Sequence, residues 1–250
     1  SLTQLVVLTL AVLVSSASAG AFNQYYEHDI DPLMSRTKKR VFATGEVPHG
    51  PIWLVVIGIL MVLSVGAAWI ALNAWTALFV FLGAFFYAVV YTVWLKRRTW
   101  LNIVFGGLAG SWAVLAGATA ADPNVGAVPL ALAFVLFLWT PPHFWALAIA
   151  FRDDYAAAKV PMLPVVVGDK KAAQTIFAST VALVAASFLP AFFGLGAIYL
   201  AGATVGGVMF LHKAWILARE PNRKTAMSCF HASLVQLTLV LTTAIIDARF

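Results

Sequence analysis

Asn23, Glu27 and Asp31 recur at every fourth position just after an apolar run that starts near Leu2. On a helix continuing past that run, this spacing sets a carboxamide and two carboxylates on one face. Oxygen donors grouped in this way suit a hard cation such as Mg²⁺. Pro32 is expected to end or turn the helix, and four cations follow within nine residues: Arg36, Lys38, Lys39 and Arg40. Such cations suit a phosphate-bearing substrate, with arginine able to bind it bidentately. A second acidic pair, Asp153-Asp154, lies between Arg152 and Lys159 far along the chain. Two acidic helix ends at one membrane edge could hold metal ions on either side of a diphosphate. The bland alternative is a mixed-charge loop whose cations only set topology.

The elements that must carry these residues are membrane helices. The chain is 62% hydrophobic and 10% charged, with a mean hydropathy of +0.91, far from a soluble domain. A spanning helix needs about 20 apolar residues. Eight such runs occur, near 2–22, 51–72, 74–95, 102–121, 127–151, 172–192, 195–212 and 226–247. The expectation is an all-α, polytopic bundle forming a single domain over residues 1–250. The chain begins with Ser1 inside an apolar run, so the natural N-terminus is expected to lie further upstream, with room for one more helix. No signal peptide is evident. Threading eight helices puts every lysine and arginine except Arg249 on one side. That side is then cytoplasmic by the positive-inside rule, and the net charge of +6 argues for topology rather than nucleic acid. The single Cys229 excludes an internal disulfide and a cysteine metal cluster.

Other stretches add candidates. Phe81, Phe85, Phe86, Tyr87, Tyr91 and Trp94 give one helix an aromatic face. Its outer rings suit lipid contact, and the rest could line an isoprenoid chain and stabilise an allylic cation. Lys96-Arg97-Arg98 follows at its end. Small residues at Ser15, Ser16, Ser18 and Gly20, and at Gly106, Gly107, Gly110 and Gly117, are expected to let helices approach closely. The stretch Trp139-Thr140-Pro141-Pro142-His143-Phe144-Trp145 places two prolines and a histidine inside a membrane helix. The prolines free backbone carbonyls and kink it. His143 is either satisfied by a neighbouring carbonyl or a ligand for haem iron. His49 and His231 are expected to be a loop residue and a packed residue.

Taken together these motifs resemble the UbiA superfamily of intramembrane prenyltransferases, and within it the protoheme IX farnesyltransferases, or haem O synthases, over nearly the whole chain. The matching pieces are Asn23-x3-Glu27-x3-Asp31 with Met34-x-Arg36-Thr37-x2-Arg40 and Gly45; Tyr91-Thr92 before Lys96-Arg97; Trp139-Thr140-Pro141-Pro142-His143-Phe144; and Asp153-Asp154-Tyr155 running to Pro161-Met162-Leu163-Pro164. The resemblance implies nine helices around a central apolar cavity open to the cytoplasmic edge, in a bacterial inner membrane. It implies farnesyl diphosphate bound through Mg²⁺, and haem B as the acceptor substrate that becomes haem O. Asn23, Glu27, Asp31, Asp153 and Asp154 would then be the metal-binding and catalytic set. Arg36, Lys38, Lys96, Arg97, Arg152 and Lys159 would take the diphosphate, and His143, Tyr91 and Phe144 the haem and prenyl chain. Haem A synthase or cytochrome oxidase assembly components are the partners implied.

Four departures from the pattern stand out. Glu27 replaces the usual Asp. Tyr91 to Lys96 is one residue longer than the Tyr-x3-Lys of quinone-type relatives. Asp153-Asp154 lacks their Asp-x3-Asp spacing, and Ser111-Trp112-Ala113-Val114 stands where many haem O synthases carry paired prolines. The competing readings are prenylation of a quinone precursor or chlorophyll-type acceptor, a membrane transporter, and a non-catalytic oxidase-assembly protein.

Overall fold

A computed structural model describes residues 1–248. Arg249, the one cation assigned above to the opposite side, lies outside the described residues. Among the described residues eight helices are long and apolar enough to cross a membrane: α1 Leu2–Tyr26, α2 Ile52–Ala71, α3 Ala74–Leu95, α4 Asn102–Ala121, α5 Ala127–Ala150, α6 Asp169–Phe192, α7 Ala197–Arg219 and α8 Arg223–Asp247. No strand occurs among the described residues. The apolar runs locate all eight, but α6 starts earlier, α7 ends later and α8 starts earlier than hydropathy alone suggests. Their polar ends keep helical hydrogen bonds beyond the apolar stretch. At the start of α8, for example, Asn222 accepts from the Thr225 N–H and Thr225 returns a bond to the Asn222 backbone.

The chain divides into two compact units, Ser1–Val125 with Asp154–Val160 and Gly126–Asp153 with Pro161–Phe250. In the first, α1 packs on α2 and α3, and α3 on α4. Ala11, Ala68, Ala77, Val80 and Ala116 form a buried core of small residues, and the Ser15 hydroxyl donates to the Val80 carbonyl at 3.3 Å. Asn73 fixes the tight turn between α2 and α3. Its Oδ1 accepts from the Thr76 N–H and its amide donates to the Thr119 carbonyl on α4. A cavity of about 330 Å³ opens between α1, α3 and α4, lined by Val12, Phe79, Gly83, Tyr87 and Ala113 among others.

From Phe86 to Leu95, α3 winds as a π-helix, with each N–H reaching back five residues rather than four. The Lys96 N–H thus bonds the Tyr91 carbonyl at 2.8 Å. Gly106 is what lets Tyr91 sit beside α4, because a Cβ there would meet the Tyr91 ring at 2.9 Å. Gly117, expected to serve close packing too, faces open space. The aromatic face of α3 divides. Phe81, Phe85 and Trp94 are exposed as lipid-facing rings would be, whereas Phe86 lies tilted against Trp112 and Tyr87 stacks on Tyr91, each pair 5.7 Å apart.

In the second unit α5 continues as helix through Pro141 and Pro142. Helix α7 is packed through glycines that the sequence reading did not single out. A Cβ on Gly202 would strike Thr243, one on Gly206 would meet the Gln236 backbone at 3.0 Å, and one on Gly207 would meet Val184 of α6 at 2.8 Å. Gly202 and Gly206 sit one turn apart on the face that packs against α8, the small-xxx-small arrangement of close membrane helices. At the far end of α8, Asp247 accepts from the N–H groups of Gly196, Ile198 and Tyr199, capping α7 with negative charge. Overpacking costs about 1–3 kcal/mol, so Gly202→Val and Gly206→Val should each lower the melting temperature in detergent. Gly117→Ala, with room for its methyl, should not lower it.

Candidate functional site

The helical register of the first acidic motif outlasts its helix. Helix α1 ends at Tyr26 with Glu27 as its cap, five residues before Pro32, so the continuous helix expected from the spacing is not formed. The spacing survives through two backbone bonds, Glu27 N–H to the Asn23 carbonyl and Asp31 N–H to the Glu27 carbonyl, both 2.9 Å. Asp31 then opens a short 3-10 turn over Asp31–Leu33, and the Thr37 hydroxyl donates to its carbonyl. Asn23, Glu27 and Asp31 consequently lie together with 2%, 0% and 1% of their surface exposed.

Two cations neutralise them. One terminal nitrogen of Arg40 donates to both Asp31 carboxylate oxygens at 3.0 Å and to Asn23 Oδ1 at 3.3 Å, and lies 3.9 Å from Glu27. Lys96 Nζ donates to Glu27 Oε2 at 2.5 Å. Burial lowers the Lys96 pKa, against the opposing pull of Glu27. The π-winding of α3 is what brings Lys96 here. It turns a Tyr91–Lys96 interval of five residues into one hydrogen-bonded turn, which accommodates the extra residue noted against quinone-type relatives. The Asn23 amide donates to Thr92 Oγ1, and the Thr92 hydroxyl donates to the carbonyl of Tyr87, five residues back. The cluster is thereby tied to a residue that lines the cavity.

One atom is left over. Glu27 Oε1 is fully buried and has no hydrogen-bond partner, an unfavourable state for a carboxylate oxygen. Two carboxylates, one of them with an orphaned oxygen, and a carboxamide are the donor set of a hard divalent cation, so the residues fit Mg²⁺. Among the described residues no group of three or more His, Cys, Asp or Glu gathers closely enough to hold a metal on those side chains alone. Any ion here would share Asn23, waters or phosphate oxygens.

The other proposed site residues fall into different settings. Asp154 accepts from the Ser35 N–H at 2.8 Å and from its hydroxyl at 2.5 Å, joining the second acidic pair to the loop that follows the first. Burial raises the Tyr155 pKa, against the opposing pull of the Arg36 guanidinium. Arg97 is engaged by a residue the motif reading passed over. Its two terminal nitrogens bind the two oxygens of Asp29 at 2.7 and 2.8 Å, and its guanidinium covers the Tyr26 ring. This bond holds Asp29 below the usual carboxylate range and Arg97 above its own. Lys38 and Asp153 are exposed, and Arg152 lies 3.6 Å from Asp169, an ion pair too long for a hydrogen bond.

Lys159 is exposed at a left-handed φ of 54°. It ends the helix Arg152–Ala157 in a Schellman motif, with Lys159 N–H on the Ala156 carbonyl and Val160 N–H on that of Tyr155. His49 stacks on Tyr25 and on His28, as a loop residue. In the second unit His143 is buried and bonded to Ser233, and Phe144 meets its ring edge-on. Arg40, offered by the sequence only as one of four phosphate-suited cations, and Asp29, Ser35 and Thr92 were outside the site set assigned from the sequence. The motif Thr37-x2-Arg40 was the available signal for Arg40, and Asp29 had none.

The chain matches known proteins over nearly its whole length. The UbiA prenyltransferase family matches residues 1–235. The "Protoheme IX farnesyltransferase 2" of Paramagnetospirillum magneticum is 58% identical over 240 residues, covering 96% of this chain and 83% of its own. Among solved structures, a digeranylgeranylglyceryl phosphate synthase superposes with a TM-score of 0.82 at 19% identity, covering 99% of this chain and 86% of that one. A UbiA homologue from Archaeoglobus fulgidus bound to DMAPP and Mg²⁺ gives 0.67 at 16%, covering 97% and 88%. At those identities the structures establish the fold, and the sequence match establishes descent. The chain belongs to the UbiA prenyltransferase family.

Proposed function

We propose that this protein transfers a farnesyl group from farnesyl diphosphate to a vinyl group of haem B, giving haem O, with Mg²⁺ as cofactor. The observation that carries the reading is the buried cluster of Asn23, Glu27 and Asp31, faced by Arg40 and Lys96 and left with an unpartnered Glu27 oxygen. The acceptor is taken from the activity named for the relative at 58% identity, and the metal from the Mg²⁺ and DMAPP of the structural neighbour. The bias of lysine and arginine towards one set of loops in the sequence supports the reading that their side is the cytoplasmic one.

Asn23, Glu27 and Asp31 would hold the ion, with Asp154 and Asp153 serving a second position. When bound, Mg²⁺ neutralises charge growing on the diphosphate as the bond from farnesyl C1 to oxygen breaks. Arg40 and Lys96, released from the carboxylates, would donate to phosphate oxygens, with Arg36, Lys38 and Lys159 available from exposed positions. The cavity beside Tyr87, within the ~300–1,000 Å³ usual for small-molecule sites, would take the isoprenoid chain. The stacked rings of Tyr87 and Tyr91 would face the allylic cation. The diphosphate leaves with the bonding pair, the haem vinyl carbon forms the new bond to C1, and water adds to the resulting cation with loss of a proton. His143 and Phe144 would hold the haem.

Purified protein given farnesyl diphosphate, haem B and Mg²⁺ should yield a haem whose mass has risen by farnesyl plus hydroxyl. Chelation by EDTA should stop the reaction and added Mg²⁺ should restore it; a quinone precursor consumed in preference to haem would overturn the acceptor. Asp31→Asn should lower turnover on the order of 10²–10³-fold, the usual loss for one electrostatic stabiliser; haem O formation at the wild-type rate would overturn the role of Asp31, and absence of haem O from the wild-type protein would point to a non-catalytic assembly role. Lys96→Met strands the buried Glu27 charge and should lower unfolding stability in detergent by about 3–5 kcal/mol. The double variant with Glu27→Gln should recover most of that loss.

A further inference from the structure

In the second unit, the surroundings of His143 fix which of its ring nitrogens carries the proton. The Trp139 ring lies 4.0 Å from the imidazole at 21°, the Phe230 ring 4.4 Å away at 25°, and Phe144 meets the edge at 4.8 Å. Two near-parallel rings at such distances can only lie on opposite faces, so the imidazole is sandwiched and cannot flip freely. Its Nδ1 is 2.6 Å from Ser233 Oγ, and that Oγ is 2.6 Å from the Phe230 carbonyl oxygen.

Two oxygens 2.6 Å apart need a proton between them. A carbonyl has none to give, so the Ser233 hydroxyl proton points at Phe230. With its single hydrogen committed there, Oγ can only accept from the imidazole, and Nδ1 must carry the proton. Neutral imidazole has one N–H, which leaves a lone pair on Nε2. No hydrogen bond from the protein reaches Nε2 among the described residues. Trp139 Nε1 donates to the Ser233 carbonyl at 2.8 Å, so the residue beside His143 on one face also fixes the turn of α8 that carries the serine. The need for a serine or a close equivalent at 233 was not visible in the sequence, because its partner lies 90 residues away.

We infer that Ser233 is a positioning residue that holds His143 as its Nδ1–H tautomer, so that Nε2 presents its lone pair to the iron of a porphyrin substrate. Histidines that ligate metals commonly donate their other N–H to an oxygen acceptor that sets tautomer and ring orientation. Here a hydroxyl relaying to a backbone carbonyl fills that role. The inference rests on the haem reading given above and adds to it the ligating atom and the residue that prepares it.

The test is titration of detergent-purified protein with ferric haem, followed by the Soret band and by electron paramagnetic resonance against a detergent blank. Wild-type protein should give an imidazole-ligated spectrum, and His143→Ala should lose it. Ser233→Ala, checked for helical content by circular dichroism, should bind haem about 10–100-fold more weakly with a broadened, mixed-ligation spectrum. Ser233→Thr, which keeps the hydroxyl, should restore both. Should Ser233→Ala fail to fold, Ser233→Cys, with a weak acceptor of similar size, carries the same expectation of weakened binding. Wild-type affinity and spectrum in folded Ser233→Ala or Ser233→Cys would overturn the role of Ser233. An unchanged spectrum in His143→Ala would overturn iron ligation there while leaving the haem substrate in place. Absence of haem binding by the wild type would overturn the haem reading itself, and this inference with it.

Discussion

The buried pairing of Glu27 and Asp31 with Lys96 and Arg40 is the interaction on which the first unit depends. Carboxylates at 0% and 1% exposure are tolerable only if compensated, because an isolated buried charge costs far more than any single packing contact contributes. That requirement draws the loop after α1 back over the helix end and pulls the end of α3 inward. Lys96 and Glu27 are 69 positions apart in the chain. Surrounding bonds brace the same junction: Asn23 to Thr92 within it, Asp29 to Arg97 at the surface, and Ser35 to Asp154 on the further side of the loop.

The π-winding of α3 is intelligible in the same terms. An α-helical path over Phe86–Leu95 would rotate Lys96 away from Glu27 by roughly the 100° that one residue occupies in a 3.6-residue turn. The extra residue between Tyr91 and Lys96 is absorbed by a hydrogen bond one residue longer. A π-segment is costly and rare, and it persists here because the buried ion pair and the Tyr91 ring against Gly106 both require it. Within it the Thr92 hydroxyl also donates to the Tyr87 carbonyl, which links the polar cluster to the wall of the apolar cavity.

The histidine in α5 follows a different principle. No ion pair holds it. Its environment is built from ring faces and one hydroxyl, and these fix direction and tautomer rather than charge. A polar ring inside a membrane helix is expensive unless its nitrogens have partners or a purpose, and here one nitrogen has its partner in Ser233.

The sequence by itself determined the helices, since hydropathy over about 20 residues is a property of contiguous chain. It also determined the chemistry on offer, through Asn23, Glu27 and Asp31 at helical spacing and His143 between prolines and aromatics. Only the tertiary structure decided which cations meet which anions. Arg36, Lys38, Arg40, Lys96 and Arg97 look alike on paper, yet Arg40 and Lys96 enter the cluster and Arg97 pairs with Asp29. Neither the early end of α1, the π-turn that delivers Lys96, the glycines of α7 nor the serine that faces His143 announces itself locally. Each is settled by contact with a segment tens of residues away, where burial and shape choose among side chains that local pattern leaves equivalent.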